Sequence, residues 1–245
     1  MKETVSSKEL GKKNAAAKAL DFVSDGMVIG LGTGSTANWF LELLAKKIEE
    51  RKLEIVGVPT SHKTAVLSKD LGIPLGTLDE FPNLNLVIDG ADEFDPNFNL
   101  IKGGGGALLQ EKIVAAASDH MIVISDYTKR VTVLGEFPLP LEIVKFGAKS
   151  TLKRVLGVLS QLNYTDFSFS WRTIEDGLFI TDEQHLILDL HLRKIKRVDE
   201  LEKGLLSCPG VVETGLFSGF AKTIITGERD GTCNILEMNC NDANK

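Results

Sequence analysis

The sequence predicts an α/β protein: a Rossmann-like, mostly parallel sheet with helices on both faces, plus a smaller ferredoxin-like α+β domain. In the first half, short apolar segments typical of buried strands alternate with segments of helical periodicity. Near 137–140, two prolines within three residues predict a linker, and the pattern changes after it. A chain of 245 residues, 43% of them hydrophobic, can bury a core of this size.

The first domain is predicted to begin with a helix over 7–24, because apolar residues recur there at helical spacing. A β-α-β-α-β-α-β order follows, which implies a parallel sheet covered on both faces. The predicted strands are Met27–Leu31, Leu53–Val58, Leu84–Ile88 and Met121–Ser125, and the intervening helices are Ser35–Glu50, 61–71 and Ala107–Ser118.

The second domain is predicted to follow the prolines, over about 138–215. Apart from one extra short strand, its order is β-α-β-β-α-β, which is typical of a ferredoxin-like unit. Its predicted strands are 141–146, 164–171, 178–181, 186–192 and 211–217, and its helices are 150–161 and 197–207. Strands 222–226 and 233–238 are expected to return to the first domain, which then comprises 1–137 and about 216–245.

Composition excludes several classes of protein. The net charge of −6 argues against a general nucleic-acid binder. No apolar run approaches the ~18 residues of a membrane span, and no secretory signal follows the first lysine. Cys208, Cys233 and Cys240 form no CxxC pair, and their odd number fits a reducing cytoplasm.

The first chemical motif is the glycine turn Gly30–Thr36, between a predicted strand and a predicted helix. Free N–H groups and the positive dipole end of a helix suit an anion, and Ser35 and Thr36 add hydroxyl donors. The alternative is a simple turn capped by Ser35. The segment lacks the lysine of a Walker A loop, and Ser35 replaces the third glycine of a dinucleotide fingerprint.

The second motif, Asp89-Gly90-Ala91-Asp92-Glu93, places three acids directly after a predicted strand. Ligands in open α/β sheets bind beyond the carboxyl ends of strands, so these acids are candidates to hold a metal or to move sugar hydroxyl protons. The alternative is a solvated acidic turn in which Asp89 caps locally.

The third motif is Lys102 followed by four glycines, Gly103 to Gly106. Ordering four glycines is unfavourable, which indicates a backbone that wraps closely around a ligand rather than a flexible surface loop. The helix after the run carries Glu111, and Lys102 supplies a positive charge before it.

Loops after neighbouring strands of a doubly wound sheet converge, so the three motifs are expected to share one crevice. No histidine or cysteine cluster accompanies them. His185 and His191 are separated by ~20 Å of strand, too far to share a metal. Cys208 lies beside a proline with no visible base, which argues against a nucleophile.

With these motifs the sequence resembles the type A ribose-5-phosphate isomerases. The resemblance includes GLGTGSTA at 30–37, DGADE at 89–93, KGGGGALLQEK at 102–112, and further segments at 134–144 and 209–212. It implies interconversion of D-ribose 5-phosphate and D-ribulose 5-phosphate through an enediolate, in the non-oxidative pentose phosphate pathway. It also implies a Rossmann-like domain with a ferredoxin-like companion, no cofactor or metal, and a homodimer or homotetramer.

The resemblance also implies roles for individual residues. Glu111 corresponds to the general base, and Asp89 and Asp92 correspond to acids that contact sugar hydroxyls. Lys102 corresponds to the residue that faces the reacting oxygens, and Lys129 to a lysine near the phosphate. The remaining substrate-binding positions are Thr33, Gly34, Ser35, Thr36, Gly90, Ala91, Gly103, Gly104 and Gly105. Lys12 matches a further lysine near the phosphate. One departure is Glu183-Gln184-His185, where relatives often have Asn-Gly-Asn. It affects the expected geometry of a turn in the small domain, not the chemistry.

Two other functions compete with isomerisation. A nicotinamide-dependent oxidoreductase is suggested by the glycine turn, but the third glycine is missing and no acid ends the second strand. A sugar-phosphate sensor requires an output module, and the residues before the first glycine turn are too few for one.

Overall fold

The computed structural model of the protein describes residues 6–238, so Cys240 and the first five residues lie outside the described part. The chain divides into two compact units. The first unit contains the residues up to Ala91, Gln110–Arg130 and the residues from Gly219 onward. The second unit contains Asp92–Leu109 and Val131–Ser218.

Six helices longer than one turn lie within residues 6–238. They are α1 (Ser7–Ala19), α2 (Ser35–Arg51), α3 (His62–Asp70), α4 (Leu108–Ala116), α5 (Ala148–Gln161) and α6 (Val198–Leu206). The strands of the first unit are β1 (Val28–Leu31), β2 (Val56–Pro59), β3 (Leu86–Asp89), β6 (Met121–Asp126), β14 (Ala221–Gly227) and β15 (Cys233–Glu237). Those of the second are β4 (Glu93–Phe94), β5 (Leu100–Ile101), β7 (Leu139–Ile143), β8 (Ser168–Trp171), β9 (Thr173–Ile174), β10 (Gly177–Leu178), β11 (Leu186–His191), β12 (Val211–Thr214) and β13 (Leu216–Phe217).

The first unit is a six-stranded sheet in the order β15-β14-β6-β3-β1-β2. All neighbouring strands are parallel except β15, which pairs antiparallel with β14. The predicted return of the last two strands to this sheet is therefore confirmed. Because the chain passes from β1 to β2 on one side and then to β3 on the other, the strand order reverses between β1 and β3. Ligands bind at such a switch point in open α/β sheets.

The core of the first unit lies where α1 and α2 cover the sheet. Fully buried aliphatic residues of the strands, such as Ile29 and Ile88, pack against Phe40 and Leu44 of α2 and Ala16 of α1. The helix ends follow from local chemistry. Ser6 caps α1 by accepting the Glu9 N–H, and Ser61 caps α3 by accepting the Thr64 N–H.

The second unit has a four-stranded antiparallel sheet in the order β12-β7-β11-β8. Numbered within the unit, this is the order 4-1-3-2 of a β-α-β-β-α-β fold, which confirms the predicted ferredoxin-like arrangement. Its core contains Leu141 and Leu188 from the sheet, Val155 from α5 and Leu205 from α6. A hairpin of β9 and β10 and a three-stranded sheet, β13-β5-β4, complete the unit.

Several details differ from the predictions. The predicted strand 211–217 is two strands: β12 joins the four-stranded sheet and β13 pairs with β5. They separate at Gly215, where the chain runs so close to the Lys102 carbonyl oxygen that a Cβ would lie 2.4 Å from it. Because β5 pairs with β13, residues 92–109 belong to the second unit, as do 131–137, whereas the sequence placed both in the first.

Other differences concern the bounds of single elements. The predicted helix 7–24 is α1 followed by a 3₁₀ turn, Leu20–Phe22, and the predicted strand Leu53–Val58 begins only at Val56. The predicted strand 164–171 begins only at Ser168, after Asn163 has taken a left-handed conformation (φ 61°). The predicted strand 178–181 is the short β10. Within residues 6–238, none of the helices combines the length and the hydropathy that a membrane span needs.

Candidate active site

The glycine turn after β1 is built directly against the end of β3. The Gly32 N–H donates to the Ile88 carbonyl (3.0 Å), and the Thr33 N–H donates to Asp89 Oδ1 (3.0 Å). A Cβ on Gly32 would lie 2.3 Å from Asp89 Oδ1 and 2.5 Å from Asp89 Cα. Only glycine fits at this position, because the two strand ends are in backbone contact.

The hydroxyl of Thr33 lies at the centre of a cluster of hydroxyl groups. Thr33 Oγ1 is 2.8 Å from Thr60 Oγ1, 2.8 Å from Ser61 Oγ and 3.0 Å from Thr64 Oγ1. Sequence reasoning missed Thr60 and Ser61 as partners of the turn. The available signal was that they directly follow β2, at the same edge of the sheet.

The end of the turn forms the start of α2. This helix begins at Ser35, its N-cap is Gly34 (φ 115°), and no side chain caps it. The alternative in which Ser35 acts as the capping residue is therefore wrong. Gly34 and Ser35 are exposed, so the start of α2 is accessible to an anion.

Asp89 is the last residue of β3 and is 1% exposed. Its Oδ1 accepts from the N–H groups of Thr33 and Gly90, the latter at 2.7 Å. The carboxylate thus joins the glycine turn to the segment Gly90–Ala91, both residues of which are half-buried. This places the start of the second motif, Asp89–Ala91, against the glycine turn at the switch point of the first unit.

Glu111 lies in the first turn of α4 and is 4% exposed. Its helix packs on β1, since a Cβ on Gly30 would lie 2.7 Å from Val114 Cγ1. Glu111 precedes Val114 by three residues, which is about 4.5 Å along a helix that runs antiparallel to the strands. The carboxylate therefore lies toward the carboxyl ends of β1 and β3, the end that carries the glycine turn and Asp89.

The two lysines that the resemblance assigns to the phosphate both lie in the first unit. Lys129 ends a 3₁₀ turn, 127–129, which follows the carboxyl end of β6. Lys12 is 8% exposed on α1, and its Nζ lies 2.5 Å from Glu9 Oε1. The hydrogen bonds from Lys12 and from Trp39 hold the pKa of Glu9 below its usual value.

The second unit contains the other predicted site residues. The Asp92 N–H donates to the Ile101 carbonyl, and Asp92 Oδ2 accepts the Gly104 N–H at 2.7 Å. Lys102 is 2% exposed, its N–H donates to the Gly215 carbonyl, and its Nζ lies 5.6 Å from the centre of the Phe217 ring. Hydrogen bonds from Asp92 to Ile101 and Gly104 therefore hold Asp92 against both ends of the segment that contains Lys102.

The glycine loop itself is a tight turn. The Gly106 N–H donates to the Gly103 carbonyl at 2.9 Å, and both residues have positive φ, 97° at Gly103 and 81° at Gly106. Gly104 and Gly105 at the tip are exposed, whereas Gly103 and Gly106 are buried. The run of glycines is thus ordered and presents its tip to solvent.

The third acid of the second motif has a structural role. Glu93 is 4% exposed, and its carboxylate accepts the N–H groups of Gly135 (2.7 Å) and Phe137. It ties the start of β4 to the segment before β7. Because Glu93 is anchored in this way, the backbone of its neighbour Asp92 is held in place as well.

The residues set aside from the sequence have partners elsewhere in the second unit. His185 Nδ1 is 3.0 Å from Glu142 Oε1, and burial raises the pKa of Glu142. Gln184 adopts φ 65°, so the turn at 183–185 contains a left-handed residue that is not glycine. Burial raises the pKa of the Cys208 thiol, which makes it a poor nucleophile. Residues 6–238 contain no group of three His, Cys, Asp or Glu arranged to hold a metal ion.

Comparisons with known proteins identify the family of the chain. The family model for ribose 5-phosphate isomerase A (phosphoriboisomerase A) matches residues 56–231. Ribose-5-phosphate isomerase A of Cereibacter sphaeroides is 49% identical over 230 residues, covering 94% of this chain and 92% of the relative. That of Rhodopseudomonas palustris is 51% identical over 225 residues, covering 91% and 96%.

Solved structures show the same fold over nearly the whole chain. Ribose 5-phosphate isomerase from Plasmodium falciparum superimposes with a TM-score of 0.88 at 36% identity, covering 93% of this chain and 98% of that one. A D-ribose-5-phosphate isomerase in complex with phospho-erythronic acid gives 0.87 at 39% identity, covering 94% and 99%. On this evidence of sequence and fold together, the chain belongs to the ribose 5-phosphate isomerase A family.

Proposed function

We propose that this chain interconverts D-ribose 5-phosphate and D-ribulose 5-phosphate through a cis-enediolate, in the non-oxidative branch of the pentose phosphate pathway. Relatives that are about half identical over more than nine-tenths of the chain bear the name of this activity. The observation that carries the proposal is the burial of Glu111, at the end of the sheet that holds the glycine turn and Asp89.

Glu111 is the proposed general base. Isomerisation removes a proton from C2 of the aldose and returns a proton to C1, and one carboxylate can perform both transfers. A side chain that is 4% exposed lies away from bulk water, so an enediolate formed beside it is protected from side reactions. The reaction is redox-neutral within the sugar, so it needs no external electron acceptor.

Lys102 and the N–H groups of the glycine loop are proposed to stabilise the enediolate. The negative charge that develops on the substrate oxygens requires positive or N–H partners already in place. Lys102 is buried, and the loop after it is held by hydrogen bonds. Asp89 and Asp92 are proposed to exchange hydroxyl protons during ring opening and between O1 and O2.

The phosphate is proposed to bind at the start of α2. Gly34 and Ser35 are exposed there, Ser35 and Thr36 offer hydroxyl groups, and Lys129 and Lys12 supply positive charge in the same unit. Binding energy from this remote group holds the reacting carbons in place and so contributes to turnover.

A coupled assay tests the proposed function. Ribulose 5-phosphate should form from ribose 5-phosphate, while phosphate-free ribose should react far more slowly because it lacks the remote group. The absence of ribulose 5-phosphate in a well-folded preparation would refute the proposal. NADH titration should leave the fluorescence unchanged, whereas a saturable shift would favour the oxidoreductase.

We further propose that the protein works in the cytoplasm as a homodimer or homotetramer. The odd number of cysteines and the assembly implied by the family resemblance support this. Light scattering coupled to size exclusion would measure the mass in solution, and a monomer at micromolar concentration would contradict the assembly.

A further inference from the structure

Arg172, directly after β8, binds the glycine loop from behind. Its Nη1 donates to the Gly103 carbonyl at 2.7 Å and to the Gly104 carbonyl at 3.0 Å. All these residues lie in the second unit. Arg172 belongs to none of the motifs in the sequence, so the contact is visible only in the structure.

The direction of these two bonds determines where the loop N–H groups point. In a trans peptide the C=O and the following N–H point in opposite directions. Because Arg172 holds the carbonyls of Gly103 and Gly104 on one side, the N–H groups of Gly104 and Gly105 point to the other. The Gly104 N–H reaches Asp92 Oδ2 there at 2.7 Å, which confirms the orientation.

The guanidinium is itself held in place. Its Nε and Nη2 donate to the two carboxylate oxygens of Asp189, at 2.9 and 2.5 Å, in a bidentate pair. The side chains of Arg172 and Asp189 are 15% and 13% exposed, so the pair is largely shielded from solvent. The guanidinium carbon also lies 6.0 Å from the centre of the Phe179 ring. The same ring packs so closely on Gly106 that a Cβ there would lie 2.3 Å from it.

This arrangement needs an arginine. A planar guanidinium can hold a carboxylate with one edge and two carbonyls with another, whereas the compact ammonium of lysine cannot match both. A positive charge on the two carbonyls also polarises their peptides, which strengthens the N–H groups on the opposite face as donors. Of these, the Gly104 N–H binds Asp92, and the Gly105 N–H is the donor that an enediolate oxygen would use.

We propose that Arg172 is a positioning residue for the isomerase reaction: it aligns the Gly105 N–H group toward the reacting oxygens and holds the Gly104 N–H on Asp92, and Asp189 orients it. The inference rests on the proposed function. Arg172 acts through the loop and does not contact the substrate, so its effect is on the transition state rather than on binding of the phosphate.

Three variants test the role: Arg172→Lys, Arg172→Ala and Asp189→Asn. The control is Arg193→Met, because Arg193 pairs with Asp166 in the same unit but both side chains are more than 70% exposed. For each protein, kcat and KM are measured per folded enzyme. Inhibition by inorganic phosphate and by phospho-erythronic acid, whose planar carboxylate resembles an enediolate, is measured in parallel.

Arg172→Lys should lower kcat about 10- to 100-fold and change KM less than threefold. Inhibition by phospho-erythronic acid should weaken at least tenfold, while inhibition by inorganic phosphate stays within twofold of the wild type. Guanidinium ion should restore part of the activity of Arg172→Ala, and Asp189→Asn should show a smaller loss of the same kind. Arg193→Met should match the wild type.

Two results would overturn the inference. One is a kcat within twofold of the wild type in both Arg172 variants. The other is a parallel loss of kcat, phosphate inhibition and thermal stability that guanidinium does not restore, since a purely structural role predicts that pattern. A well-folded wild type without isomerase activity would instead refute the proposed function, and the inhibitor comparison by direct binding would then still test the alignment of the loop.

Discussion

The contact between the glycine turn and Asp89 gives a sharp prediction for Gly32→Ala. The added methyl group would lie 2.5 Å from Asp89 Cα and 2.3 Å from Asp89 Oδ1. Carbon atoms pack at ~3.5 Å, so the two strand ends must separate by about 1 Å. Part of the obstacle is backbone, so a change of rotamer cannot relieve it.

The size of the effect follows from that displacement. Overpacking of this kind lowers the free energy of unfolding by about 1–3 kcal/mol. The shift also pulls Asp89 away from the Thr33 N–H that binds it at 3.0 Å. A misplacement of about 1 Å in a catalytic group can lower turnover on the order of 100-fold. We therefore expect kcat/KM to fall by one to two orders of magnitude, in excess of the loss of folded protein.

Urea denaturation and the coupled isomerase assay measure the two effects separately. Gly157→Ala is the matched control, because Gly157 lies inside α5 and a Cβ there has no heavy atom within 4 Å. This variant should gain about 0.5–1 kcal/mol of stability from helix propensity and keep its activity. If Gly32→Ala unfolds at the same urea concentration as the wild type and turns over within twofold, the close approach has no functional consequence and the reasoning is wrong.

Four further predictions follow from the described residues. Lys102→Met should lower kcat at least 100-fold with a smaller change in KM, because its charge is needed mainly in the transition state; a pure KM effect would argue against that role. Dialysis against EDTA should leave turnover unchanged, and activity that returns only with a divalent ion would contradict a metal-free mechanism. Burial and, to a smaller extent, the positive charge of Lys222 lower the pKa of His120. The unfolded chain therefore binds a proton at this histidine first, and the free energy of unfolding falls as the pH drops below about 6.5. His120→Gln should flatten that slope in urea titrations from pH 8 to 5.5. Burial raises the pKa of Glu142, so its contribution to stability falls as the pH rises from about 4.5 through the raised value; an unchanged slope in Glu142→Gln would contradict this.

The first unit was predictable because its strands are short apolar segments bounded by glycine or by polar turns. Met27–Leu31 and Ser35–Glu50 differ from the observed elements by one residue at most. Parallel strands buried on both faces give such continuous apolar runs, and the helices between them show clear periodicity. The order of elements then restricts the topology to few alternatives.

The three-stranded sheet of the second unit was not predictable in the same way. Its strands β4, β5 and β13 have two residues each, too few to show any period. Their pairing joins residues 100–101 with 216–217, a contact that no local pattern encodes. For the same reason the sequence assigned 92–109 to the first domain, whereas they belong to the second unit.

In the candidate site, too, contacts between distant segments could not be predicted from the sequence. Motifs located Asp89, Asp92, Lys102 and Glu111, because acids and glycines at strand ends are locally unusual. They did not locate the hydroxyl cluster around Thr33 or the arginine behind the glycine loop. Those side chains contribute through contacts between distant segments, and their residue types are ordinary for a strand end or an edge strand.

The most direct test of the account is the exchange of the substrate C2 proton with solvent, measured by NMR in D₂O. Wild-type enzyme should incorporate deuterium while it isomerises ribose 5-phosphate. Glu111→Gln should lose both exchange and isomerisation by at least 100-fold, yet should keep its inhibition by inorganic phosphate, since the amide has the shape of the carboxylate but cannot accept the proton. Exchange at the wild-type rate in Glu111→Gln would contradict the assignment of this buried glutamate as the base.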